Sequence, residues 1–316
     1  MKSVIIATGG TGGHIYPAIA VAEALKKQDP DYLIFFVGTK LGMENQIVPQ
    51  KGYPLLHLPI GRLHKSVGWK ERAQTLFQMP IAFFKAAWFC IKIRPQFLIG
   101  FGGHASGPMI LIASLLGFKT FIWEPNAFPG MANRILSKFV SRCFVVFDSA
   151  KAKLNPKKSI KVGIPIRDMI ESMGRLPQSQ RETFHILVYG GSQGSLAISE
   201  SVIHFYEKYQ KELSFLRLLL QTGQTHFEKL KNECEKRSLL SENFQLVPYI
   251  HDMDAKYQWA DLVMSRSGAG TISELASTGL PSVLIPLPTA ADGHQQKNAE
   301  ELVEKGGAIM ILQNQL

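Results

Sequence analysis

Short β-forming runs alternate with helix-like stretches along the whole chain, and clusters of glycine mark where a run gives way to a helix. Residues 4–7, 33–37, 97–99, 120–123 and 143–147 read as strands in the first half, and 185–189, 216–220, 245–247, 261–264 and 282–285 in the second. Helix candidates lie between them, such as 17–27, where Ile19, Ala22 and Leu25 fall near a 3–4 spacing. Such alternation builds parallel, doubly wound α/β sheets. The pattern restarts after a polar, Lys- and Pro-rich stretch, 149–165, which reads as a linker, and a second polar stretch, 174–180, precedes the next strand. The 316 residues suffice for two domains at roughly 150 residues each. The expected fold is therefore two Rossmann-like domains, 1–161 and 162–316, with a ligand cleft between them at the carboxyl ends of both sheets.

Three glycine loops fall at strand-to-helix junctions: Gly9-Gly10-Thr11-Gly12-Gly13-His14, Gly100-Phe101-Gly102-Gly103-His104-Ala105-Ser106-Gly107-Pro108 and Gly190-Gly191-Ser192-Gln193-Gly194-Ser195. Glycine lets a backbone approach a ligand closely, and a helix N-terminus offers unpaired N–H groups to an anion. Pro17 reads as a helix-start residue, where its missing N–H costs nothing. The bland alternative is three ordinary tight turns. A dinucleotide-dependent oxidoreductase is disfavoured, because the first loop is not G-x-G-x-x-G and the second strand ends Val37-Gly38-Thr39 without the ribose-binding acid.

The segment 261–275 reads strand, loop, helix, with Ser267-Gly268-Ala269-Gly270-Thr271 at the turn and Glu274 in the first turns of the helix. A carboxylate there suits a ribose diol while loop amides face a diphosphate. The competing reading is a favourable charge near a helix N-terminus. The loop Asp292-Gly293-His294-Gln295-Gln296-Lys297-Asn298, on the same rim, favours the first.

Charge is divided unevenly. The chain carries a net +10, yet residues 1–175 hold 23 Lys and Arg against 9 Asp and Glu, a net +14, and the remainder is −4. The basic half invites nucleic acid, an anionic membrane or an acidic small molecule, but no nucleic-acid module is recognisable. Cys90, Cys143 and Cys234 are too few and too scattered for a disulfide framework or a zinc site, which favours a reducing compartment. Isolated acids such as Asp292 make no metal site, and no cofactor is expected. The longest apolar stretch, 79–91, is interrupted by Lys85 and falls short of the ~20 residues of a spanning helix.

The ordered set G-G-T-G-G-H, G-F-G-G-x-x-S-G-P, W-E-P-N, G-G-S-Q-G and S-R-S-G-A-G-T-I-S-E resembles the MurG family across essentially the whole chain. That family has a GT-B fold and is peripheral to the membrane. The resemblance implies inverting transfer of N-acetylglucosamine from UDP-N-acetylglucosamine to the muramoyl 4-hydroxyl of undecaprenyl-linked lipid I, giving lipid II. It implies that residues 1–161 meet acceptor and membrane, and that 162–316 hold the UDP-sugar. Carried over by motif, Thr11, Gly12 and Gly13 touch the donor. His14 is the catalytic base, suited by an imidazole's ordinary pKa near ~6.5, and Glu124 is a second base candidate. Asn126 faces donor or acceptor, Arg167 reaches the diphosphate, and Ser192 binds phosphate. Ile250 lies by the uracil through its backbone. Ala269, Gly270, Thr271, Ile272, Ser273 and Glu274 hold the nucleotide, with Glu274 on the ribose, and Gln295 meets the donor sugar.

The chain departs from the family pattern at His104, at Trp123 and in stopping soon after the run 308–312, where relatives usually continue with helices. The alternatives are a GT-B transferase with another glycolipid acceptor, or an inactive nucleotide-sugar-binding homologue.

The resemblance also gives the basic half a partner. Arg62, His64, Lys65, Lys70, Arg72, Lys85, Lys92 and Arg94 surround Leu76, Phe77, Met79, Ile81, Phe83, Phe84, Trp88 and Phe89. This pattern suits a helix lying in an anionic interface, with Phe83, Phe84, Lys85 and Trp88 as membrane contacts; a core helix with a solvated basic face is the alternative. The expected location is the cytoplasmic face of the bacterial inner membrane, with no nucleic acid as partner.

Overall fold

A computed structural model describes residues 2–61, 68–165 and 182–316. The chain divides into two compact units, Met1–Pro165 and Ile166–Leu316.

In unit 1, seven parallel strands lie in the order β3-β2-β1-β4-β5-β6-β7. They are β1 (Ser3–Ala7), β2 (Leu33–Gly38), β3 (Leu55–His57), β4 (Phe97–Gly100), β5 (Thr120–Glu124), β6 (Arg142–Val145) and β7 (Ser159–Lys161). Strand β1 is buried along its whole length, as a central strand covered on both faces must be, and pairs with β2 from Ser3↔Leu33 to Ala7↔Val37. Helices α1 (Gly12–Gln28), α2 (Glu44–Gln50), α3 (Trp69–Ile93), α4 (Ser106–Leu115), α5 (Met131–Leu136) and α6 (Asp148–Lys153) connect the strands. The core joins Ile5, Leu98, Ile122 and Val145 of the sheet to Ala82, Ala86 and Phe89 of α3 and to Met109 and Ile110 of α4.

Unit 2 repeats the plan with six parallel strands in the order β10-β9-β8-β11-β12-β13. They are β8 (Phe184–Tyr189), β9 (Leu216–Gln221), β10 (Phe244–Val247), β11 (Leu262–Ser265), β12 (Ser282–Leu284) and β13 (Ala308–Met310). The helices are α7 (Leu196–Tyr209), α8 (Phe227–Lys236), α9 (Met253–Trp259), α10 (Ala269–Thr278) and α11 (His294–Val303). Both sheets reverse direction of winding at their first strand, so loops after β1 and β4, and after β8 and β11, flank a switch point.

The α/β expectation holds, with three local differences. The stretch 149–165 is not a bare linker: it supplies most of α6 and all of β7, a three-residue edge strand paired to β6. Strand β3, the opposite edge, carried no apolar run long enough to notice. Helix α1 starts at Gly12, so Pro17 lies inside it rather than at its start. Its missing N–H leaves the Gly13 carbonyl, four residues back, without that helical hydrogen bond.

Candidate active site

The loop after β1 in unit 1 is held from below by Glu44, which the sequence reading passed over. Its side chain is fully buried. Oε2 accepts from the Gly10 amide at 2.9 Å, and Oε1 accepts from the Thr39 amide at 2.9 Å and the Thr39 hydroxyl at 3.0 Å. Gly9, Gly38 and Gly42 all press against this carboxylate; a Cβ at Gly9 or Gly38 would fall 2.6 or 2.7 Å from Glu44 atoms, and one at Gly42 would overlap it. An acid therefore does follow β2, but it braces two loops.

On that brace sits His14, half-buried in the first turn of α1. Its Nδ1 lies 3.3 Å from the Gly9 carbonyl. A carbonyl only accepts, so Nδ1 carries the proton and Nε2 is left as the basic nitrogen. The loop after β4 packs on this ring. A Cβ at Gly102 would come 2.9 Å from His14 Cδ2 and Nε2, and one at Gly103 would come 2.6 Å from the Gly9 oxygen. Thr11 and Gly13 are exposed and Gly12 half-buried at the open end of the helix, where no side chain caps the amides.

Glu124 ends β5 and is also buried. Oε1 accepts from the Asn126 amide and Nδ2 at 3.0 and 3.1 Å; Oε2 accepts from the Gly130 amide and Asn133 Nδ2 at 3.0 and 2.9 Å. Burial pushes its pKa up, against the downward pull of these four bonds. The second base candidate thus has its carboxylate committed to the turn that presents Asn126, and Asn133 joins it there. Trp123 is buried against Phe101 with its indole N–H donating to the Gly163 carbonyl at 3.4 Å, while His104 is exposed.

In unit 2 the loop Gly190–Ser195 links β8 to α7. Gly194 and Gly223 interlock backbone to backbone, each with positive φ and no room for a Cβ. Ser192 is exposed on the loop. Ser195 Oγ caps α7 and accepts from Arg266 Nη2 at 2.7 Å. Arg266 is buried and also donates to the carbonyls of Ile285 and Pro286 and to Gln313 Oε1, so this guanidinium ties three loops together. Gln221, at the end of β9, donates to the Gly191 carbonyl at 2.8 Å and accepts from the Ile250 amide at 3.0 Å. Ile250 therefore enters any site with its N–H engaged and its side chain buried.

Residues Ala269, Gly270, Thr271, Ile272, Ser273 and Glu274 form the N-terminal part of α10, whose first amides lack a side-chain cap. Ile272 is buried, and Glu274 is half-buried and accepts from the Tyr257 hydroxyl at 2.7 Å. Gln295, in the first turn of α11, accepts from the Leu287 amide through Oε1 at 2.9 Å and from the Ser267 hydroxyl through its carbonyl at 2.8 Å. Loops after β11 and β12 are thereby latched together. Arg167 lies outside the described residues, as do Arg62, His64 and Lys65. Among the described residues no three His, Cys, Asp or Glu side chains gather as a metal site.

Helix α3 is apolar on two sides. Thr75, Ala82, Ala86, Phe89 and Cys90 face the core, whereas Phe77, Ile81, Phe84, Trp88 and Ile91 recur at alternating steps of four and three on the exposed side. Phe84 is 78% exposed and Trp88 47%, with Lys92 Nζ 4.6 Å from the Trp88 ring centroid. Phe83 and Lys85 are half-buried. The helix runs for 25 residues, beyond the apolar stretch counted around Lys85, and is long and apolar enough to cross a membrane by length and composition. Its buried face is nonetheless built into the core of unit 1.

Residues 4–145 match the glycosyltransferase family 28 N-terminal domain, and residues 185–316 match its C-terminal domain. The chain is 44% identical over 319 residues to the UDP-N-acetylglucosamine--N-acetylmuramyl-(pentapeptide) pyrophosphoryl-undecaprenol N-acetylglucosamine transferase of Bdellovibrio bacteriovorus, covering 100% of this chain and 87% of that protein. It is 37% identical over 319 residues to the protein of the same name from Carboxydothermus hydrogenoformans, covering 98% and 84%. MurG of Acinetobacter baumannii matches with a TM-score of 0.81 at 29% identity, over 100% of this chain and 87% of that one. The UDP-GlcNAc 2-epimerase of Neisseria meningitidis, at 14% identity and a TM-score of 0.64, shares the fold.

Proposed function

We propose that this chain, which belongs to glycosyltransferase family 28, transfers N-acetylglucosamine from UDP-N-acetylglucosamine to lipid I, the undecaprenyl-pyrophosphoryl N-acetylmuramyl pentapeptide, and so forms lipid II for peptidoglycan. The likeness to the Bdellovibrio transferase over the whole chain carries this reading. Two Rossmann-like units of the GT-B type are its scaffold.

An α-linked donor giving a β-linked product calls for one in-line displacement. The acceptor 4-hydroxyl attacks C1 of the donor sugar, and the new O–C1 bond forms as the C1–O bond to phosphate breaks. UDP leaves with the bonding electrons, and the hydroxyl proton passes to a base. His14 is that base in our reading, because the Gly9 carbonyl accepts the Nδ1–H hydrogen bond and so makes Nε2 the basic nitrogen of the ring. Glu124 acts by presenting Asn126 rather than by taking a proton, since its oxygens already accept four hydrogen bonds.

Thr11, Gly12, Gly13, Asn126 and Gln295 contact the donor sugar. Charge building on the diphosphate is met by Ser192, by the uncapped amides of Ala269, Gly270 and Thr271, and by Arg167, whose guanidinium fork suits two phosphates. Ile272 and Ser273 shape the nucleotide pocket, Glu274 accepts from the ribose diol, and Ile250 borders the uracil. No cofactor takes part.

The test uses the full chain with UDP-N-acetylglucosamine and a short-chain lipid I analogue. UDP release that requires the muramoyl acceptor, with disaccharide formed in equal amount, is the expected result. UDP-sugar binding without acceptor-dependent release refutes the reaction.

The exposed stripe of α3 is the membrane contact in this reading, and the protein lies on the cytoplasmic face of the inner membrane. Phe84 and Trp88 enter the interface, while Phe83 and Lys85 contribute from the stripe's half-buried margin. Each buried aromatic contributes about 1.5–3 kcal/mol, and each basic residue near an anionic surface about 1 kcal/mol. Replacing Phe77, Phe84 and Trp88 together by Ser is expected to weaken partition onto anionic vesicles by about a hundredfold or more. Co-sedimentation checks it, and equal pelleting of wild type and variant counts against this surface.

A further inference from the structure

Glu274 stands at the end of a buried chain of hydroxyls that the reaction does not account for. Tyr189 closes β8, Tyr257 lies in α9 and Glu274 in α10, so three separate elements converge on one line of contacts. Tyr257 is fully buried and Tyr189 nearly so. The Tyr257 oxygen lies 2.7 Å from Glu274 Oε2 and 2.7 Å from the Tyr189 oxygen.

The proton count fixes the direction of this chain. A phenol has one hydrogen to donate, and an ionised carboxylate can only accept. Tyr257 therefore donates to Glu274, and its own oxygen accepts the proton of Tyr189. Burial above all pushes both phenols well above their ordinary pKa, with the charge on Glu274 adding to it, so both stay protonated donors. A hydrogen bond to a charged acceptor is about twice as strong as one between neutral groups, and the second phenol polarises the first. The carboxylate is thus pinned through one oxygen by a rigid, buried donor, at a half-buried position on the rim of the unit 2 sheet.

We infer that Tyr257, backed by Tyr189, is a positioning residue that fixes Glu274 for the cis-diol of the nucleotide ribose and so makes the site discriminate ribose from 2′-deoxyribose. This rests on the reading of Glu274 as the ribose acceptor. A carboxylate free to rotate must be ordered by the ligand at each binding event, whereas a pinned one is prepared beforehand. The advantage exists only for a ligand that supplies both hydroxyls, which separates positioning from general support of the fold.

The experiment is titration calorimetry of the full chain with UDP and with 2′-deoxy-UDP. Wild type is expected to prefer UDP. Tyr257→Phe is expected to weaken UDP about tenfold and 2′-deoxy-UDP by much less, so that the preference collapses. Because Tyr257→Phe removes one hydrogen-bond partner of the buried Tyr189 hydroxyl, the double variant Tyr189→Phe/Tyr257→Phe is measured alongside it. That variant leaves no buried phenol unpaired, and it must show the same collapse. A preference retained at the wild-type ratio in either folded variant, whatever the absolute affinities, overturns the proposal. Glu274→Ala tests the underlying reading separately: unchanged UDP affinity there, or a wild type indifferent to the 2′-hydroxyl, removes the ribose assignment itself. Loss of affinity in Glu274→Ala with an unaltered ratio in the tyrosine variants removes the positioning role alone.

Discussion

His14→Ala lowers acceptor-dependent turnover by about two to four orders of magnitude, the range for removing a positioned general base. UDP affinity in the same variant stays within about threefold of wild type. The expectation follows from where the ring is held. Its Nδ1 is tied to Gly9, Gly102 packs against Cδ2 and Nε2, and the nucleotide-binding candidates all lie on the other unit of the chain. A group that moves a proton in the transition state affects kcat, whereas one that holds the ground-state nucleotide affects affinity. Steady-state UDP release and titration with UDP separate the two. A His14→Ala variant that turns over normally but binds UDP poorly makes His14 a binding residue and leaves the base to be found elsewhere.

Glu44→Ala gives a large loss of stability at the unit 1 site. Three donors lose their acceptor at once: the Gly10 amide, the Thr39 amide and the Thr39 hydroxyl. A buried donor left unsatisfied costs about 1–3 kcal/mol, and two of the three, the Thr39 amide and hydroxyl, are buried, so the sum is roughly 4 kcal/mol before any cavity is counted. Against the usual 5–15 kcal/mol of a folded domain, that is a large fraction. Glu44→Gln keeps the volume but turns one acceptor into a donor, and is expected to cost about half as much. Urea unfolding followed by tryptophan fluorescence reads this directly, because Trp69, Trp88 and Trp123 all lie in unit 1. A midpoint unchanged in Glu44→Ala means that the two loops hold each other without the carboxylate.

The parts of the molecule legible in the sequence are those whose signal is local. Central strands such as β1 and β8 are covered on both faces and read as apolar runs, and the glycine loops fall at the junctions because the backbone there packs against backbone. Strands β3 and β7 were not legible: each is three residues long, and an edge strand with a solvated face needs no continuous apolar run. The braces were missed for a different reason. Glu44, Gln221 and Tyr257 act across gaps of 34, 29 and 17 residues, so no motif spacing announces them. Glu124 was visible as an acid beside Pro125 and Asn126, but its role depends on Gly130 and Asn133 bending back onto it. A carboxylate in a motif looks the same whether it will meet a substrate or the amides of its own turn.

The packing around Glu44 bears on how such a sequence can drift. Gly9, Gly38 and Gly42 are small because one carboxylate fills the space that their side chains would occupy, and that carboxylate is useful only because the glycines admit it. No single replacement among the four improves on the arrangement: a larger residue at a glycine displaces the acid, and a smaller acid abandons the amides. The four positions are coupled physically through the one space they share. A lineage that abandons the acid has no further need of the glycines and must rebuild the floor of the first loop by other means.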